Sequence, residues 1–233
     1  MRMNAAKERY PQLAGNVSRL GEMQTKKTIA YETLKRRILL NESKPGVPIN
    51  ENAISEEMKI SKTPIREALQ QLEREGLIQT IPGRGSFVTH ITVEDVREIF
   101  ESREIIECAV ARRAALIGDK EQIKAKRVEL ESSNPMSDGE KDPELDLDDV
   151  HVFIFGVVGN KRLFEIYSQL LDQIVRLRRY FNVRLDTERT AKFNKEHLRI
   201  LDALIKSDPD QAEEAVLTHL RNASAYLTRR TLF

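Results

Sequence analysis

The sequence predicts a mainly α-helical protein with two domains: three helices plus a β-hairpin, followed by an antiparallel bundle of six or seven helices. Apolar residues recur every three or four positions along most of the 233 residues, which is the period of amphipathic helices. Two short strand-like runs follow the third helical segment, and no convincing strand occurs after Thr92. We divide the chain into a flexible N-terminal arm (1–24), a first domain (25–91) and an all-helical second domain (92–233).

The first domain opens with two predicted helices. Apolar residues at helical spacing mark the first of them: Tyr31, Leu34 and Ile38. The turn-forming segment NESKPGVP (41–48) ends this helix. Asn50 is then a good N-cap for a short second helix, because its side chain can accept hydrogen bonds from the first backbone amides.

A third helix follows after a tight turn, capped by Ser61 or Thr63. Pro64 lies in its first turn, where the missing N–H group costs nothing. Its apolar positions have helical spacing: Ile65, Leu69 and Leu72. Gly76 is a typical C-terminal stop for this helix.

Two strand-like runs, 77–80 and 86–89, flank the sequence Pro-Gly-Arg-Gly at 82–85. They predict a β-hairpin with a glycine-rich, cationic tip. Three helices followed by such a hairpin, with a short turn between the second and third helices, is the plan of a winged helix-turn-helix.

The third helix carries the side chains that a DNA-reading helix needs. A helix fits the major groove of B-DNA when its first turn offers groups that reach phosphates and base edges. Four residues meet this requirement: Ser61, Lys62, Thr63 and, one turn later, Arg66. At the hairpin tip, Arg84 can enter the minor groove, and the flanking glycines, including Gly85, allow close approach of the backbone. We therefore predict binding to double-stranded DNA.

The distribution of charge supports this prediction. Residues 1–90 contain 15 Lys and Arg against 10 Asp and Glu, whereas residues 91–233 contain 23 against 27. The first half of the chain is thus basic and suits a polyanion, while the second half is acidic and does not.

Composition also indicates the compartment. No run approaches the roughly 18 apolar residues of a membrane span, and the N-terminus lacks the apolar segment of a secretory signal. The single cysteine, Cys108, excludes an internal disulfide framework and fits a reducing compartment. We expect a cytoplasmic protein without a membrane partner, in which Cys108 is a buried structural thiol.

The stretch PGVPINENAISEEMKISKTPIREALQQLEREGLIQTIPGRGSFV resembles the DNA-binding domain of the GntR family of transcription regulators. The resemblance implies that Lys62 and Arg66 contact bases and phosphates, and that Gly85 is the glycine of the wing tip. It also implies a DNA contact at the start of the second helix, where the family often has arginine and this chain has Asn52.

The second domain contains a run of predicted helices, near 93–117, 120–132, 144–158, 161–182, 187–206 and 209–230. Three histidines fall on three of these helices: His151, His197 and His219. Each lies on an apolar face, and Asp148 shares the face of His151 one turn earlier. Three imidazoles and a carboxylate are a reasonable ligand set for a divalent transition metal. Core histidines without a ligand are the alternative that spacing leaves open.

This half of the chain resembles the FCD ligand-binding domain of the FadR-type branch of the GntR family. Several segments carry the resemblance: Glu101-Ser102-Arg103 with Glu107, His151 with Gly159-Asn160, Glu196-His197 with Ile200-Leu201, and Ala215 to Leu220. In metal-binding members three histidines and an aspartate hold an ion beside a carboxylate effector. The family aspartate falls on Leu147 here, so we assign its role to Asp148.

The resemblance implies that Arg103 lines the effector cavity, where a guanidinium binds a carboxylate through its fixed fork of donors. An ion pair with Glu107 on the helix surface is the alternative. Zinc is the leading candidate for the ion, and nickel and manganese are the other candidates.

These observations predict a regulator, usually a repressor in this family, that binds a palindromic operator as a homodimer and responds to a small carboxylate. A sensor in which the metal itself is the signal is the alternative. A metal-dependent hydrolase is a third reading, but no motif supplies a general base, a nucleophile elbow or a phosphate loop.

Overall fold

The computed structural model describes residues 25–132, 149–181 and 187–231, and within them it confirms the mainly α fold class. The helices are α1 (Lys26–Leu39), α2 (Glu51–Met58), α3 (Lys62–Arg74), α4 (Val93–Ile117), α5 (Lys120–Ser132), α6 (Asp149–Val158), α7 (Lys161–Tyr180), α8 (Thr187–Ile205) and α9 (Pro209–Thr231), and the strands are β1 (Ile78–Ile81) and β2 (Gly85–Val88). The predicted N-terminal arm and Asp148 lie outside the described residues.

The first three helices and the hairpin enclose one apolar core. Its central members are completely or almost completely buried: Ala30, Ile65, Ala68, Leu72 and Leu77. The predicted cap of α2 is present, since the Asn50 side chain accepts from the amides of Asn52 and Ala53. Ser61 occupies the N-cap position of α3, but its side chain makes no capping hydrogen bond. The three-helix arrangement thus follows the sequence pattern closely.

Gly76 ends α3 as predicted. Its φ is +71°, in the left-handed region, and the next amide, of Leu77, donates back to the carbonyl of Leu72 at 3.0 Å. This is the Schellman arrangement, which satisfies carbonyls that the helix end leaves unpaired. Because Leu77 still belongs to this helix end, β1 begins one residue later than predicted.

The strands pair in antiparallel register from Ile78 with Val88 to Ile81 with Gly85. The hairpin also gains a partner that the sequence pattern did not reveal. Pro48 forms an isolated antiparallel bridge with Phe87, and the amide of Ile49 donates to the carbonyl of Ser86 at 2.8 Å. The chain at Pro48 and Ile49, just where the predicted turn segment ends, therefore pairs with β2 and stabilises the edge of the wing.

The second domain is a bundle of six described helices, α4 to α9. α4 packs along α9, and α8 packs against both α9 and α5. Side chains cap two of these helices: that of Asn160 accepts from the amide of Leu163 at the start of α7, and that of Asp208 accepts from the amide of Gln211 at the start of α9. Within the described ranges, no helix combines the length and apolar character needed to cross a membrane.

Candidate metal centre and nucleic-acid interface

All seven residues predicted to contact DNA are exposed on the first domain. They are Asn52 in the first turn of α2, Ser61, Lys62, Thr63 and Arg66 at the start of α3, and Arg84 and Gly85 at the tip of the wing. The amphipathic pattern produces this placement, because α3 buries its apolar stripe and leaves its N-terminal polar residues in solvent. An exposed helix N-terminus and a cationic wing form a surface suited to a phosphate backbone.

Arg66 has a protein partner at this surface. Its Nε donates to Oε2 of Glu51, in the first turn of α2, at 2.8 Å. The arginine is about two-thirds exposed, with 63% of its side-chain surface accessible. The ion pair therefore directs Arg66 toward α2, and a phosphate would compete with Glu51 for the guanidinium.

The three predicted histidines come together in the bundle interior, although α6, α8 and α9 each supply one. One ligand atom from each of His151, His197 and His219 lies within 4.8 Å of the others. The ring centroids are 4.5 Å apart for His197 and His219, and 4.9 Å apart for His151 and His219. All three side chains are buried. Such a cluster is the donor set that zinc and related ions prefer.

A buried carboxylate orients His151. Oε2 of Glu107, on α4, lies 2.5 Å from Nδ1 of His151. The other oxygen of Glu107 accepts from Nε of Arg103, one turn earlier on the same helix, at 2.5 Å. Burial would raise the pKa of Glu107, but the guanidinium of Arg103 and the contact with the His151 ring hold it below its ordinary value. An ionised Glu107 next to Nδ1 favours the tautomer that carries its proton there, which leaves Nε2 as the ring nitrogen that can act as a ligand.

A second carboxylate orients His219 in the same way. Glu196, on α8, accepts from Nδ1 of His219 at 2.9 Å and from the amide group of Asn222 at 2.8 Å. Burial raises the pKa of Glu196 above its ordinary value, and the hydrogen bond from Asn222 and the charge of Arg189, 3.7 Å away, offset only part of this rise. Carboxylates on the outer nitrogens of ligand histidines are the usual support of a metal site.

The surroundings of Nε2 of His151 test whether the histidine cluster fits a metal ion. The atom is buried and has no hydrogen-bond partner within the described residues. A buried ring nitrogen without a partner is costly, and a metal ion in contact with the three imidazoles would satisfy it. The residues therefore fit a divalent metal. The fourth predicted ligand, Asp148, lies outside the described ranges.

Arg103 is completely buried, and its ion pair with Glu107 is present. The alternative of an ion pair on the helix surface is wrong in its location, because α4 turns this face toward the bundle core. The spacing of four residues revealed the pair, but it could not reveal that Glu107 also reaches His151 on another helix. The same is true of Glu196, which neighbours His197 in sequence yet binds His219.

Comparisons with known proteins agree with this architecture. Residues 26–88 match the family described as bacterial regulatory proteins, gntR family, and residues 98–222 match the FCD domain. The HTH-type transcriptional repressor RspR of Escherichia coli (strain K12) is 32% identical over 196 residues, which cover 83% of this chain and 85% of RspR. The chain belongs to the GntR family.

Solved structures of GntR-type regulators share the fold. McbR/YncC of E. coli has a TM-score of 0.70 at 18% identity and matches 90% of this chain and all of its own length. A GntR regulator from Rhodococcus sp. RHA1 has a TM-score of 0.62 at 21% identity, with 87% of this chain and 97% of that chain covered. GntR proteins with an FCD domain are transcription regulators, not enzymes, so the prediction of a DNA-binding regulator is confirmed.

Proposed function

We propose that this GntR regulator represses transcription as a homodimer, and that its FCD domain binds a divalent metal together with a small carboxylate effector. The observation that carries the proposal is the cluster of three buried imidazoles within 4.8 Å of one another. Two of the three are held by carboxylates on their outer nitrogens. An imidazole cluster with this support is typical of a metal site rather than of ordinary core packing.

On the DNA side, α3 would enter the major groove and the wing would reach the neighbouring minor groove. A two-fold axis would place the two recognition helices about 34 Å apart, one turn of B-DNA, so the operator would be palindromic. Repression is supported by the similarity to RspR, which is a transcriptional repressor. Because a bacterial regulator meets its operator DNA in the cytoplasm, the protein would act there.

In the FCD domain, His151, His197 and His219 would hold the ion, with zinc ahead of nickel and manganese. The bound ion would supply a positive Lewis-acid centre for the carboxylate of an effector. Glu107 and Glu196 keep two ring nitrogens directed to the centre. Arg103 would add a buried positive charge near the same place, held by Glu107.

A metal sensor is the second candidate, and the state of Arg103 favours it. The guanidinium already binds Glu107 at 2.5 Å in the fully buried interior, so an effector carboxylate would have to share it. In a sensor, metal alone would change the affinity for DNA.

The test starts with elemental analysis and mass spectrometry of the purified protein, to identify a bound ion and any co-purified acid. Zinc affinity is then measured by calorimetry for the wild type, for His197→Ala and for His90→Ala. His90 is an exposed histidine of the first domain and serves as the matched control. We expect His197→Ala to lose zinc binding and His90→Ala to retain it. Equal zinc binding by all three proteins would contradict the metal site.

Fluorescence anisotropy with an operator selected from random duplexes tests the regulatory part. A carboxylate that shifts DNA affinity only in the zinc-loaded protein would support the effector proposal. A shift with zinc alone would identify a metal sensor. Binding to duplex DNA that does not weaken with salt would contradict the DNA interface.

A further inference from the structure

The face of α7 that contacts the first domain is polar and forms defined ion pairs and hydrogen bonds with it. Nζ of Lys35, on α1, lies 2.6 Å from Oδ2 of Asp172, on α7. Only 12% of the lysine side chain and 28% of the aspartate side chain are exposed. An ion pair removed from solvent in this way depends on its geometry, since either charge alone would be left uncompensated.

The same contact holds the end of the recognition helix. Glu75 is the C-cap of α3, and its carboxylate accepts from Lys35 at 2.9 Å and from the hydroxyl of Tyr31 at 2.8 Å. Its backbone carbonyl accepts from the side-chain amide of Gln173, on α7, at 3.0 Å. The C-terminal end of α3 is thus bound to α7 both directly and through Lys35.

A second contact lies one turn further along α7. The buried guanidinium of Arg176 donates to Oγ1 of Thr89 at 2.8 Å and to the carbonyl of the same residue. Thr89 follows β2, and its hydroxyl donates to the carbonyl of Gly76, just after α3, at 2.9 Å. α7 therefore binds the base of the wing as well as the end of the recognition helix.

The other part of α7 packs on the metal-binding half of the bundle. Tyr167 is completely buried, and its ring stacks on that of Phe155 with centroids 4.2 Å apart. Phe155 lies on α6, one turn after His151. A single helix of 20 residues thus contacts both the helix that carries a predicted ligand and the DNA-binding domain.

We infer that α7 couples the DNA-binding domain to the helical bundle of this protein. Asp172, Gln173 and Arg176 are positioning residues that fix the recognition helix, α3, relative to the histidine cluster. A small movement of α6 would reach α3 through Tyr167 and this polar face, because close-packed helices move as rigid bodies. The transmission of a metal signal rests on the proposed function. The polar docking itself does not.

A double-mutant cycle tests the docking without metal or DNA. Lys35→Met and Asp172→Asn are made singly and together, and the unfolding temperature of each full-length protein is measured. If the two side chains act as one unit, the double variant unfolds no more than about 1 °C below the less stable single variant, because the second substitution removes a charge that the first left uncompensated. If the decrease in unfolding temperature of the double variant equals the sum of the decreases of the two single variants, the inference is overturned. Asp202→Asn is the control, since it removes a partly exposed ion pair with Arg127 that lies within the second domain and not between the domains.

Hydrogen exchange with zinc as the probe tests the coupling. In the wild type, zinc should slow amide exchange around the histidines and also at residues 71–77, the end of α3. In Asp172→Asn and Gln173→Ala the first effect should remain and the second should fall at least about fivefold. If zinc slows amide exchange around the histidines of the wild type but leaves it unchanged at residues 71–77, the inference that α7 couples the two domains is overturned. Absence of slowing at the histidines would instead refute the metal site, and the double-mutant cycle would then decide the docking.

Discussion

Nδ1 of His151 and Oε2 of Glu107 are 2.5 Å apart, and both side chains are almost completely inaccessible to solvent. The carboxylate joins α4 to α6 and connects Arg103 with a predicted metal ligand. It therefore has two separable roles: it orients an imidazole, and it neutralises a buried guanidinium.

Replacing Glu107 by Gln should affect both roles. The variant retains the shape of the side chain but removes the charge, so zinc affinity should fall about 10- to 100-fold. The free energy of unfolding should fall by about 3–5 kcal/mol, because the charge of Arg103 is left without its partner. Calorimetric titration with zinc and denaturant unfolding of the apoprotein measure the two effects separately.

Glu101→Gln is the matched control on the same helix, since Glu101 pairs with Arg97 in an exposed position. It should change stability by less than about 1 kcal/mol and leave zinc affinity unchanged. Equal losses in both variants would show that the effect comes from the charge of α4 and not from the contact with His151.

The backbone conformation of Gly76 predicts that a substitution there destabilises the protein without the loss of any contact. Its φ is +71°, and a Cβ built on it would meet nothing within 4 Å. Gly76→Ala should therefore lower the free energy of unfolding by about 1 kcal/mol through strain alone. Gly76→Asn should cost less, because asparagine tolerates the left-handed region. Chemical denaturation measures both, and an alanine variant as stable as the wild type would contradict the argument.

The elements of both domains could be predicted from apolar spacing and capping residues, because helices α3, α4 and α7 are defined by local sequence. The cluster of His151, His197 and His219 could be anticipated from apolar faces and from the family resemblance. The contact of Glu107 with His151, and that of Glu196 with His219, could not, because each depends on how two distant helices pack. The docking of Asp172 on Lys35 is non-local for the same reason.

Cys108 should be a slow nucleophile in the folded protein. Burial raises the pKa of its thiol to about 11, above the ordinary 9.0, so the protonated form is favoured by folding. At pH 8 the thiolate fraction should be roughly 100-fold lower than in the unfolded chain. Alkylation by iodoacetamide, followed by mass spectrometry with and without denaturant, measures the difference. The rate in the folded protein should rise with pH up to about pH 11, and equal rates in both states at pH 8 would contradict the burial of the thiol.

Glu51 should restrain DNA binding through Arg66. The carboxylate accepts from Nε of Arg66 at 2.8 Å on the exposed surface, where an ion pair contributes about 0.2–1 kcal/mol. Glu51→Ala should release the guanidinium for phosphate and tighten operator binding by up to about fivefold at low salt. Glu56→Ala is the control, since it removes the same charge from an exposed position of α2. Anisotropy titrations over a range of salt concentrations compare the two variants, and Arg66→Ala should remove the advantage of Glu51→Ala. If Glu51→Ala and Glu56→Ala tighten binding equally, the gain reflects net charge and not the release of Arg66.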